Sequence, residues 1–147
     1  LICNAHSENT VKKINSAVKK RSSFRPVAPA ILEEYASSFF KLSRKTYDSY
    51  FYMGAVCETL NEKKNEIKAV VHKDGTARVQ IVKPDQLLGK ILTLCKDHNI
   101  YLLANTSFNV SSDPMVYSKE DAYLSAERMN VKYLLTEKGL YSKKIPI

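Results

Sequence analysis

At 147 residues the chain is long enough for one domain with a sizeable core. A hydrophobic content of 44% with 26% charged residues argues against disorder, and no apolar run approaches the ~18 residues that span a bilayer. The net charge of +8, from 23 Lys and Arg against 15 Asp and Glu, favours polyanionic partners: phosphates, nucleotides or nucleic acid.

Cys3, Cys57 and Cys95 are widely spaced and form no CxxC pair. They fit neither a disulfide framework nor a zinc site, so buried thiols in a reducing compartment, the cytoplasm, are expected. His6, His72 and His98 show no metal-ligand spacing, and no structural metal is expected. The chain opens at Leu1 with neither an initiator Met nor a signal-peptide pattern, which suits a fragment of something longer.

In chain order, residues 1–3 suit the end of a strand. Over residues 7–20, Val11, Ile14, Ala17 and Val18 recur at helical spacing. Ser22, Ser23 and Pro26 end that helix, because a proline disfavours helical geometry in the residue before it. Residues 24–32 are expected to be extended, with their prolines confining them to an edge or an irregular strand. A short helix is expected over 33–40, an aromatic-rich strand over 50–57 and an exposed loop over 59–66.

Residues 70–82 predict a hairpin. Asp74-Gly75 lies between β-branched arms, and glycine takes the positive φ that a tight turn needs. His72, Asp74, Thr76, Arg78 and Gln80 all fall on even positions, opposite Val71, Ala77, Val79 and Ile81. Such alternation gives a strand one polar and one buried face. The polar face is either merely solvated or a place to hold a polar ligand.

The clearest helix is predicted over 84–99, with Pro84 at its first position and an apolar stripe of Leu87, Leu88, Ile91, Leu94 and Cys95. Residues 100–104 predict a strand buried on both faces. Ser118 with Asp121 resembles a capping box for a helix ending near Met129. A strand over 131–136, a turn at Glu137-Lys138-Gly139 and a short return over 140–142 complete the chain. The sum is an α/β (α+β) domain with a twisted, open, mixed sheet.

Three polar clusters stand out. Lys19-Lys20-Arg21-Ser22-Ser23-Phe24-Arg25-Pro26 holds a guanidinium between Phe24 and Pro26, suited to bidentate recognition of phosphate or carboxylate. The second is the turn with Arg78. The third, Asn105-Thr106-Ser107-Phe108-Asn109, follows the buried strand, and ligands of open α/β sheets gather at carboxyl ends of strands. Neither a Walker A loop nor GxGxxG occurs, so a nucleotide would be held by side chains.

The succession K-x-R-x-x-F-R-P-x-A-P, then H-x-D-G-T-A-R-V-Q, then N-T-S-F-N followed by x-P-x-V and E-D-A resembles one family over residues 1–143. It looks like the C-terminal domain of the O-carbamoyltransferases that act on nodulation factors, cephamycin-type and aminoglycoside antibiotics. The resemblance implies a YrdC-like fold that binds ATP, with Mg2+, and carbamoyl phosphate, and makes carbamoyl-adenylate with loss of pyrophosphate. It also implies an N-terminal Kae1-like partner domain, absent here, that transfers the carbamoyl group to an acceptor hydroxyl. By motif position Lys19, Arg25 and Arg78 would be the catalytic, anion-binding set, and Ser107 and Asn109 the S-x-N pair. Arg21, His72, Asp74 and Thr106 are further binding candidates. The chain departs from the family at Ser22, where Glu is usual, and at Ser112-Asp113-Pro114, where Gly-Glu-Pro is usual.

The alternative is a basic RNA-binding module of YrdC-like fold, motivated by the unopposed charges from Lys12 to Arg25. It predicts steeply salt-dependent affinity. Only Phe24 interleaves those charges, which weakens the stacking platform such a module uses. A homodimer is left open, and no membrane partner is expected.

Overall fold

Side chains that alternate between two buried faces organise the central sheet. The computed structural model describes residues 1–18, 27–110 and 113–142. They divide into two compact units, one of Leu1–Lys12 with Phe24–Thr106, the other of Lys13–Ser23 with Ser107–Ile147.

In the first unit, β1 (Ile2–Asn4), β7 (Leu102–Asn105), β2 (Ala28–Leu32) and β6 (Gln80–Val82) form a four-stranded sheet in the order β1-β7-β2-β6. The β1/β7 and β2/β7 pairs are antiparallel and β2/β6 is parallel, so the sheet is mixed. Ile31, Ile81, Leu102 and Ala104 face one way, into a cluster with Phe39, Phe40, Tyr50, Ile67, Val70 and Val79. Ala30, Leu32, Val82 and Leu103 face the other way, onto Leu92 of α3 (Leu87–Lys96). Strands buried on both faces carry nearly continuous apolar runs, and β2 is buried at all five positions.

A second sheet, β3 (Phe40–Lys41), β4 (Cys57–Thr59) and β5 (Thr76–Ala77), lends Phe40, Cys57 and Ala77 to the first of those clusters. Short helical pieces fill the rest of this unit: α1 (Glu8–Lys13), continued by π-helical Ile14–Val18 at the start of the second unit, and α2 (Glu33–Ala36).

The structure corrects several expectations. Strand β2 is interior, although Pro29 lies within it; its pairing with β6 begins only at Ala30, so Pro29 stands outside that ladder. The hairpin is reduced to its turn. Val70 closes a 3-10 turn instead of forming an arm, Thr76–Ala77 pairs with β4, and Gln80–Val82 joins the central sheet. The aromatic stretch 50–57 is not a strand: Arg44–Tyr52 is 3-10 helical, and Tyr47 meets Tyr50 and Phe51 edge to face at 6.3 and 5.9 Å. Those rings repeat at i, i+3 and i+4, a helical spacing that outweighs aromatic strand propensity.

Two helices are shorter than expected. The segment after β2 is helical only over Glu33–Ala36. Helix α3 starts at Leu87, because Pro84 sits inside a turn in which Gln86 N donates to Lys83 O at 3.1 Å. Gly89 is required there, since a Cβ would lie 1.9 Å from the Lys83 carbonyl oxygen. Within the expected loop 59–66, Thr59 is fully buried and Asn61–Lys63 forms a 3-10 turn. Of the thiols only Cys57 is buried, and burial pushes it up to about 12; Cys3 and Cys95 are half-buried.

In the second unit, α4 (Lys119–Arg128) opens on a complete capping box. Asp121 N donates to Ser118 Oγ at 3.1 Å, and Ser118 N donates to Asp121 Oδ2 at 3.0 Å. An antiparallel hairpin of β8 (Tyr133–Thr136) and β9 (Gly139–Ser142) follows, as the sequence predicts. No helix among the described residues is long and apolar enough to cross a membrane.

Candidate anion-binding site

The turn at residues 72–76 is built by its own polar side chains. Gly75 takes a φ of +84°, Gly75 N donates to His72 O at 2.9 Å, and His72 N donates to Thr76 O at 2.7 Å. Asp74 Oδ1 accepts from Thr76 N at 2.9 Å and from Thr76 Oγ1 at 2.8 Å. Those bonds hold its carboxyl below the usual carboxylate range. His72 Nδ1 lies 2.9 Å from Thr76 Oγ1. The geometry gives Asp74 and His72 a role in shaping the turn, one that any ligand would share.

Beside the turn, Lys64, Lys68 and Lys73 line an open groove of about 340 Å³ with His72 and Asp74. Lys68 is neutralised by Glu8 at 3.0 Å, while Lys64 donates to the uncharged Asn61 Oδ1 at 2.8 Å.

Past the turn the alternation holds. Ala77, Val79 and Ile81 are buried at 0, 0 and 1% exposure, which turns Arg78 and Gln80 to the opposite side. Arg78 is exposed and forms no hydrogen bond or ion pair among the described residues. Gln80 is half-buried and accepts a 2.7 Å hydrogen bond at Oε1 from Asn105 Nδ2.

The strand directions explain this juxtaposition. One end of the central sheet carries the starts of β1, β2 and β6 and the carboxyl end of β7, because Ile2 and Ala28 both stand opposite Asn105 while Ala30 pairs with Gln80. Thr106 follows at once, half-buried, its N donating to Leu1 O at 2.9 Å. Within the first unit, Gln80 and Asn105 therefore stand at one end of the sheet, with Arg78 two residues before the first and Thr106 directly after the second. Gln80 and Asn105 stand in the polar face and the polar cluster read from the sequence, but neither is among its ligand candidates. The signal for them is the pair of small residues Ala28 and Ala30 in the strand they flank.

In the second unit, Ser107 Oγ donates to Asn109 Oδ1 at 2.7 Å and Asn109 Nδ2 donates to Asp113 O at 2.6 Å. Asp113 in turn accepts from Arg128 at 3.1 Å. The S-x-N pair is thus a linked element whose loop is braced from α4. Lys19, Arg21, Ser22, Arg25 and Ser112 lie outside the described residues. Among the described residues no three His, Cys, Asp or Glu side chains gather as a metal site.

The mixed sheet flanked by helices defines an α+β domain, with an exposed arginine two residues before β6. The family described as Carbamoyltransferase C-terminus matches residues 1–143, and the chain belongs to it. It is 42% identical over 113 residues to nodulation protein NolO of Bradyrhizobium diazoefficiens, a match covering 75% of this chain and 20% of that protein. Nodulation protein NolNO of Sinorhizobium fredii is 39% identical over 115 residues, covering 75% of this chain and 16% of its own length. The fold is also that of a region of HypF from T. kodakarensis, with a TM-score of 0.64 at 17% identity over 87% of this chain and 16% of that one. The chain thus spans a fifth or less of the length of these relatives.

Proposed function

We propose that this chain binds ATP and carbamoyl phosphate and forms carbamoyl-adenylate. The observation that supports it most is Arg78, an exposed guanidinium, unpaired among the described residues, on the polar side of the segment leading into Gln80. Family membership supplies the substrate class. Water breaks the carbamoyl–phosphate linkage, giving carbamate and inorganic phosphate; a carbamate oxygen then attacks the α-phosphorus of ATP, and the bond from the α-phosphorus to the oxygen bridging the β-phosphate breaks to release pyrophosphate. No protein nucleophile is needed. The protein's task is to bring two anions together and to offset the charge that develops between them.

In this reading Arg78, Lys19 and Arg25 take phosphate oxygens, helped by Arg21, and Ser107 and Asn109 hydrogen-bond to the nucleotide. Thr106, His72 and Asp74 shape the walls. Magnesium arrives on the phosphates of ATP, as is usual for that ion. A preceding Kae1-like domain of a longer protein carries the acceptor site and completes the transfer, in the cytoplasm.

Calorimetric titration with ATP and with carbamoyl phosphate, each added singly, tests the proposal. Both are expected to bind. Arg78→Ala should weaken carbamoyl phosphate by about ten- to a hundredfold, the worth of a hydrogen bond to a charged group. A folded protein that binds neither ligand, or an Arg78→Ala protein that titrates like the parent, would overturn it.

A further inference from the structure

We infer that the Gln80–Asn105 pair reads the carboxamide of the carbamoyl donor, a role that rests on the function proposed above. Strands β6 and β7 lie on either side of β2, so the two backbones are roughly 10 Å apart at the ordinary strand spacing. Their side chains nonetheless meet at 2.7 Å. They share a face, because Val82 and Leu103, each two residues away along its strand, both pack on Leu92. The strand beneath them offers only Ala28 and Ala30 at the facing positions, and methyl groups leave room for two amides to join above.

The bond uses half of what the pair offers. Asn105 Nδ2 donates and Gln80 Oε1 accepts, which leaves Gln80 Nε2 and Asn105 Oδ1 without a hydrogen-bond partner among the described residues. Exchanging oxygen and nitrogen in both amides reverses the bond and again leaves one donor and one acceptor. Both residues are half-buried and neither open group is a buried, unpartnered atom, so each is reachable by a ligand. A carbamoyl group carries one carbonyl and one amino group on the same carbon, the complement of that donor and acceptor. Arg78, two residues before Gln80 on the same side, is placed to hold the phosphate end of the same molecule.

Acetyl phosphate separates amide reading from phosphate binding, since it keeps the phosphate and the carbonyl and puts methyl where the amine was. A site built to pair an N–H rejects the analogue that lacks it, because its own acceptor is left unpaired. In titrations of the 147-residue chain, carbamoyl phosphate is expected to bind at least about tenfold more tightly than acetyl phosphate. In Gln80→Met, which keeps the side-chain length and removes the amide, that preference should collapse while inorganic phosphate binds as before.

Equal binding of carbamoyl and acetyl phosphate by the parent would overturn the inference alone, and this comparison decides even if Gln80→Met does not fold. A uniform loss of all three ligands in a folded Gln80→Met protein would also overturn it, by making the pair a structural tie. A folded parent that binds none of the three would remove the proposed function, and this inference with it.

Discussion

Asp74 shows how a residue can carry both turn chemistry and a place in a family motif. Its carboxylate accepts from the Thr76 N–H and hydroxyl, which favours the charged form and lowers its pKa. A carboxylate whose folded pKa lies below its unfolded value, about 3.9, contributes stability above that pH and loses it as pH falls through the folded value. The difference in thermal midpoint between the parent and Asp74→Ala is therefore expected to be full at pH 7 and to shrink below about pH 4. A difference that stays constant from neutral to acid pH would mean that the carboxylate charge contributes nothing to the turn. Glycine at position 75 is set by the backbone, whose φ of +84° strains any side chain.

Among the elements, α3 makes the most testable claim about packing. Its apolar stripe follows directly from periodicity, but its start does not. Pro84 resembles a first helical residue, whereas the Lys83–Gln86 turn delays the helix to Leu87 and brings the Lys83 carbonyl against Gly89. Gly89→Ala places a methyl 1.9 Å from that oxygen, so the turn or the helix has to move. Overpacking of this kind is expected to cost about 1–3 kcal/mol in urea denaturation, despite the better helix propensity of alanine. A stabilised Gly89→Ala protein would show that the turn yields freely.

Elements set by local chemistry were legible in the sequence. The Ser118–Asp121 box, the Asp74-Gly75 turn and the β8/β9 hairpin all depend on residues a few positions apart. Strand β2 was misjudged because its neighbours, β6 and β7, are remote in sequence, and only the register shows Pro29 lying outside the β6 ladder.

At the scale of the whole molecule, the same division explains what could be read of the site. The face that carries Arg78 and Gln80 was visible as alternation with Ala77, Val79 and Ile81. That Gln80 meets Asn105 was not, since nothing local says that one strand lies between them. The mixed α+β sheet and the carboxyl end of β7 were both legible, because residues 100–104 form an apolar run bounded by polar residues. The basic cluster from Lys19 to Arg25 remains a sequence motif whose place in the site rests on the proposal.

The most direct measurement is pyrophosphate release by this chain with ATP, carbamoyl phosphate and magnesium. The account predicts pyrophosphate only when ATP and carbamoyl phosphate are both present, at a rate that falls at least about tenfold in Arg78→Ala. A folded chain that binds both ligands yet releases no pyrophosphate above the protein-free control, or releases it equally without carbamoyl phosphate, would contradict it.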